Sequence, residues 1–172
     1  ALIIPEEYNG LNFGYVGLGQ VLEEMGRNLT VSPMISTVLV STTLISFSKN
    51  EVLKSKLFDE IMNGKKLCSL AHEETSHHNP NINLSIISKN DQKFILNGKK
   101  RLVIDGSISD YLIISANNES SGKLELIILD SKSKGITFNN KVHMDSKSYS
   151  DISFNNVEFS NNDFLSSNDD GQ

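Results

Sequence analysis

Apolar positions repeat with two different periods, and the change falls near residue 64. Residues 15–63 carry helical spacing. Leu18, Val21, Leu22 and Met25 form one face against Gln20, Glu23 and Glu24, and Gly26 with the Asn28–Leu29 step ends it. Ser32–Pro33 is a helix start, with serine at the N-cap and proline in the first turn. It leads into MISTVLVSTTLISF, which is rich in β-branched residues. Its length, about 14 residues, favours a buried helix over a strand. From Lys49 to Asn63, Val52, Leu53, Leu57 and Ile61 return at helical spacing, and Gly64 is the stop.

Beyond Gly64 the period is two. The runs KLCSLAH, INLSIIS, KFILNG, KRLVID, YLIISAN, KLELIILD, GITF and DISFNNVEF are separated by Asn-Asp, Asp-Gly and Ser-Gly clusters. Asn97–Gly98 predicts a type I′ hairpin turn inside FILNGKKRLVID. The expected class is α+β: N-terminal helices over 1–64, then an antiparallel β-barrel or sandwich over 65–165. No internal repeat or long linker interrupts this order.

Composition narrows the function classes. The 172 residues suffice to bury a core. The net charge of −5 and the absence of a basic run argue against nucleic acid and anionic membrane as partners. Lys65–Lys66 and Lys99–Lys100–Arg101 read as solvated turns. No stretch of about 20 apolar residues is present to span a bilayer. The lone Cys68 excludes an internal disulfide and reads as a small buried thiol, which fits a reducing, cytoplasmic setting. The chain opens on Ala1 and closes on SSNDDGQ, so both ends read as cuts in a longer protein.

LAHEETSHH, Leu70 to His78, concentrates three histidines and two glutamates. A zinc protease needs HExxH on a helix, so that both imidazoles share a face. Here His72 opens HExxS, the next histidine follows at five, and the segment continues a β run. A solvated loop is the better reading for His77 and His78, and no metal is expected. GYVGLG has neither the glycine order nor the preceding strand of a dinucleotide loop. Gly17 and Gly19 read instead as close helix packing. Asp105, Asp110 and Asp145 are isolated turn or surface residues. Spacing alone assigns no catalytic group.

Four stretches, in order, resemble the acyl-CoA dehydrogenase family. IPEEYNGLNFGYVGLGQVLEEMGRNL is similar to its P-E-x-x-G-G…V-x-E-E-[LM]-G-R opening, matched by Pro5, Glu6, Gly10, Val21, Glu23, Glu24, Met25, Gly26 and Arg27. LKSKLFDEIMNGKKLCSLAHEE resembles L-x-x-x-L-P-x-[IL]-x-x-G…A-x-x-E. FILNGKKRLVIDGSISDYLIISAN resembles L-N-G-x-K-x-x-[VI]-x-x-G-x-x-A-D, and DISFNNVEFSNNDFL the close of the middle domain. The resemblance covers nearly the whole chain.

It implies an FAD-dependent α,β-dehydrogenation of an acyl-CoA thioester. It also implies re-oxidation by an electron-transferring flavoprotein and a homo- or hetero-oligomeric parent. The carry-over sets Ser69, Leu70, Ala71 and His72 along the flavin ring, His78 and Asn79 at the phosphate turn, and Leu102, Val103 and Ile104 on a second contact strand. Glu73, or Glu74 after a one-residue slip, matches the family glutamate. No catalytic residue falls in this chain, because the family's base lies in a C-terminal helical domain that would begin over 166–172. The chain departs from the pattern at His72 for Thr, Glu74 for Pro, TSHHN for G-A-G-S-D, Leu102 for Trp and Ile104 for Thr. These departures keep open a flavin-less structural subunit of a hetero-oligomer. An unrelated β-barrel binding module with a helical cap is a third reading.

Overall fold

The computed structural model describes residues 2–79, 81–90, 92–144 and 147–165. The segment expected to begin a C-terminal helical domain, 166–172, lies outside the described residues, as does Asp145.

Helical segments come first: a 3-10 turn (Glu6–Tyr8), α1 (Gly14–Arg27), a π-helical stretch Met34–Ser41 that runs on into α2 (Thr42–Ser46), and α3 (Glu51–Met62). α3 is capped as a free helix would be, with the Asn50 side chain accepting the Leu53 N–H. Gly64 closes it at φ +64°. α1 buries only Gly17 and Leu18. The expected close packing of α1 on a neighbour through Gly17 and Gly19 is not seen: Gly17 is crowded by the ring of Phe13 at the helix's own N-cap. Gly19 faces open space.

The apolar run Met34–Phe47 is helical as expected, but its first half is wound wide. Ser41 Oγ donates to the Ser36 carbonyl and Thr42 Oγ1 to the Thr37 carbonyl, each five residues back. Hydroxyls that bond backward into the ladder compete with α-helical pairing and open the turn. Ser32 does not cap this helix. Pro33 stands at the cap position, without a side-chain bond.

Seven strands follow among the described residues: β1 (Cys68–Ala71), β2 (Ser85–Asn90), β3 (Lys93–Ile104), β4 (Tyr111–Asn118), β5 (Lys123–Asp130), β6 (Ile136–Val142) and β7 (Ser148–Ser160). They form one sheet ordered β1-β4-β2-β3-β7-β6, with β5 along the other edge of β4. The α+β order is as the sequence predicts, but the sheet is mixed. β1 and the start of β2 both run parallel to β4.

Alternation divides the sheet's two faces between two cores. Leu112, Ile114 and Ala116 of β4, with Ile127 and Leu129 of β5, join the larger cluster inside the curled sheet. Ile113 and Ile128 face the opposite way, against Ile45, Leu57, Phe58 and Ile61 of the helices. Phe58 and Ile45 are fully buried there.

The predicted hairpin at Asn97–Gly98 does not form. β3 runs unbroken through it, because β7 pairs along its full length. Opposite Asn97, β7 carries an extra residue. Asn156 sits at φ +50° and donates its N–H to Asn97 Oδ1 at 2.8 Å. The glycine provides room rather than a turn: at φ +142°, a Cβ there would lie 3.1 Å from Leu84.

Candidate functional site

The residues around LAHEETSHH meet β3 and the π-helical stretch at one crevice of about 220 Å³. Each wall is fixed by its own contacts. The π-helix is tied to β1 because Thr37 Oγ1 donates to the Cys68 carbonyl at 2.9 Å and accepts the Cys68 N–H at 3.1 Å. Ser36 Oγ donates to Asp105 just past β3, at 2.6 Å. Ile35 and Val40 supply the helical wall, Leu70, His72 and Glu73 the β1 wall, and Arg101, Leu102 and Ile104 the β3 wall.

The β3 wall depends on a bulge. Between Lys100 and Val103, β3 carries one residue more than β7, and Leu102 adopts φ +52°. That conformation is unusual for a side chain as bulky as leucine. It is held by Asp151 Oδ1, which accepts the Leu102 N–H at 3.2 Å, while Lys141 grips Asp151 Oδ2 at 2.5 Å. The hydrogen bond from Lys141 pulls the Asp151 carboxyl below its usual value, so it stays charged.

Behind the β1 wall lies a buried polar network. Lys100 has no exposed surface. Its ammonium donates to Glu74 Oε1 at 2.8 Å, to the His72 carbonyl at 2.9 Å and to Ser115 Oγ of β4 at 3.3 Å. Glu74 also accepts the N–H groups of Asn83 and Leu84 and the Asn83 side-chain amide. Ser115 is 1% exposed and lies 3.0 Å from His72 Nδ1. Lys100 is therefore the correction to the solvated-turn reading of Lys99–Lys100–Arg101. The signal was present, because Leu96, Gly98 and Lys100 occupy alternate positions of one strand and all point inward. A hairpin placed at Asn97–Gly98 hides that alternation.

The sequence-derived site residues separate into groups. Leu70, His72, Leu102 and Ile104 line the crevice. Ser69, Ala71 and Val103 turn their side chains away. Ser69 bonds Ser109 at 2.5 Å, and Ala71 and Val103 lie in the larger core. His78 is exposed and pairs with Glu73 at 2.8 Å, its ring 6.4 Å from that of His72. Asn79 accepts the Asn81 N–H at 3.0 Å. The His78 contact and the neighbouring histidines hold the Glu73 carboxyl below its usual value. Glu73 Oε2 is buried without a hydrogen-bond partner among the described residues. Burial and the Lys100 ammonium push the His72 imidazole below the usual histidine value. Among the described residues, no three His, Cys, Asp or Glu side chains are placed to hold a metal ion. Sequence reasoning missed Arg101, Ser115 and Asp151.

No family model matches the chain. It is 34% identical over 67 residues to acyl-CoA dehydrogenase IpdE2 of Mycolicibacterium smegmatis, a match covering 39% of this chain and 20% of that protein. It is 27% identical over 141 residues to the mitochondrial 2-methylacyl-CoA dehydrogenase of Solanum tuberosum, covering 77% and 31% respectively. The fold is similar to a glutaryl-coenzyme A dehydrogenase solved as its glutaryl-CoA complex, with TM-score 0.85 at 23% identity, over 98% of this chain and 46% of that one. The matches thus span under a third of the curated relatives and about half of the solved chain. The curated relatives and the shared fold all point to acyl-CoA dehydrogenases, and the chain is similar to the N-terminal and middle portion of such proteins.

Proposed function

We propose that this chain supplies the flavin-facing part of an FAD-dependent dehydrogenase that removes α and β hydrogens from an acyl-CoA thioester. The carrying observation is the crevice between the β1 exit and the β3 bulge. Its aliphatic walls, Ile35 and Val40 against Leu102 and Ile104, suit a planar ring. Its β1 wall carries Leu70, His72 and Glu73, the last with one carboxylate oxygen bonded to His78. The residues therefore fit the ring portion of the group. Leu70, His72, Leu102 and Ile104 would hold it by side chain, and Ser69, Ala71 and Val103 only by backbone.

FAD, when bound, supplies the hydride acceptor. The chain's own contribution is to orient and to exclude water. Asp151 fixes the bulge, Lys100 and Glu74 fix the β1 exit, and the π-helix closes the side. No described residue is assigned as the base. Re-oxidation by an electron-transferring flavoprotein, and assembly into a homo- or hetero-oligomer, belong to the same proposal. So does the division into a helical part over 1–64 and a β part over 65–165.

A second reading, a flavin-less structural subunit, is favoured by one observation. The segment Thr75–Asn79 has no glycine for close approach to a diphosphate, and its His78 is committed to Glu73. The absorbance spectrum of the full-length protein tests both. Flavin bands that bleach on adding an acyl-CoA support the dehydrogenase. A protein that stays colourless after incubation with FAD overturns it and leaves the structural subunit.

A further inference from the structure

His72 faces the crevice with only one ring nitrogen engaged. Nδ1 lies 3.0 Å from Ser115 Oγ, and Nε2 makes no hydrogen bond to a described residue. Which nitrogen carries the proton follows from counting donors. Lys100 Nζ has protons to give and no lone pair, so at Ser115 Oγ it is the donor. The Ser115 hydroxyl is buried, and its only partners among the described residues are Lys100 and His72. If His72 donated from Nδ1, the hydroxyl would receive two donors and its own proton would have no acceptor. An unmade bond at a buried hydroxyl costs more than a made one gains. All three groups are satisfied in one arrangement: Lys100 Nζ–H to Ser115 Oγ, then Ser115 O–H to His72 Nδ1. Nε2 then bears the hydrogen of a neutral imidazole.

We propose that Ser115 and Lys100 are positioning residues that fix His72 as an Nε2–H donor into the crevice, so that the ligand atom met there is a hydrogen-bond acceptor. This rests on the flavin reading for the identity of the ligand, but not for the tautomer. A cationic His72 would undo the arrangement. The titratable groups facing it are Lys100 and Arg101 from β3, Glu73 and Glu74 from its own segment, and His78 from the following loop. Burial and Lys100 keep the ring neutral against the pull of the two glutamates.

The test is a long-range proton–nitrogen correlation spectrum of the full-length protein labelled with ¹⁵N-histidine and free of flavin, with His72 assigned by its loss in His72→Gln. The expected result is a bare Nδ1 and a protonated Nε2 at pH 7 to 8. A protonated Nδ1, an exchanging mixture of tautomers, or a cationic ring at pH 7 overturns the inference. Ser115→Ala should release the bias and weaken FAD binding by about five- to tenfold, the loss of roughly one hydrogen bond. Ser115→Thr should restore both. If the alanine variant fails to fold, the wild-type spectrum alone still decides. Because the tautomer is read without flavin, an intact Nε2–H in a protein that never binds FAD sinks the flavin reading and leaves this one standing.

Discussion

Replacing Lys100 with methionine isolates the buried network that fixes the crevice wall. The shape is nearly conserved, so the change removes a charge and three donated hydrogen bonds. It leaves the Glu74 carboxylate, whose side chain is 9% exposed, without its counter-charge. Breaking a buried pair in this way costs about 3–5 kcal/mol. Three N–H contacts from Asn83 and Leu84 remain on Glu74 and hold the loss near the lower end, about 3 kcal/mol.

The sign of the pH dependence follows from Glu74. Burial raises its carboxyl, but bonds from Lys100, Leu84 and Asn83 outweigh that and hold it below the usual value. A depressed carboxylate adds stability above its unfolded value and loses it as pH falls through the folded one. Without Lys100, burial dominates and the folded carboxyl rises. Protonation then relieves the variant, so its penalty is larger at pH 7 than near pH 4. Urea unfolding followed by circular dichroism should show the midpoint falling by about 1.5 M at pH 7, for a slope near 2 kcal/mol/M. Lys100→Met with Glu74→Gln should recover about 1 kcal/mol, since the residual group is then neutral. A penalty below about 1 kcal/mol at pH 7, or one unchanged with pH, refutes the reasoning.

Other outcomes follow from single contacts. Asn50→Ala removes the cap of α3 and should cost about 1 kcal/mol in the same unfolding assay. Asp151→Ala frees the Leu102 N–H and the left-handed bulge; it should cost roughly 1–3 kcal/mol and weaken FAD binding. Cys68 is fully buried and its thiol is pushed up to about 12, so a disulfide reagent at pH 7 should label it only at the rate of unfolding.

Periodicity carried most of the element order, because each helix and strand buries a continuous face. It failed where one signal outweighed a longer-range partner. Asn97–Gly98 has hairpin chemistry, yet β7 pairs across it and turns the glycine into clearance for Leu84. Lys100 looked solvated because charge was read locally. Its burial depends on Glu74 and Ser115, 26 and 15 residues away. The wide winding of Met34–Ser41 depends on which carbonyl each hydroxyl reaches, which no period reports. At the site, the family resemblance named residues of β1 and β3, and four of them line one crevice. It could not tell which side chains face the crevice, since that is set by the extra residue at Leu102.

The central claim is that the crevice between β1 and β3 holds the flavin ring. Ile104 stands on its rim at 36% exposure, so Ile104→Glu adds charge there without opening the core. Titrating FAD into flavin-free full-length protein and following flavin fluorescence compares the two forms directly. The account predicts saturable quenching by the wild type, and at least a tenfold loss in Ile104→Glu with unfolding unchanged. Equal binding by both forms would contradict it.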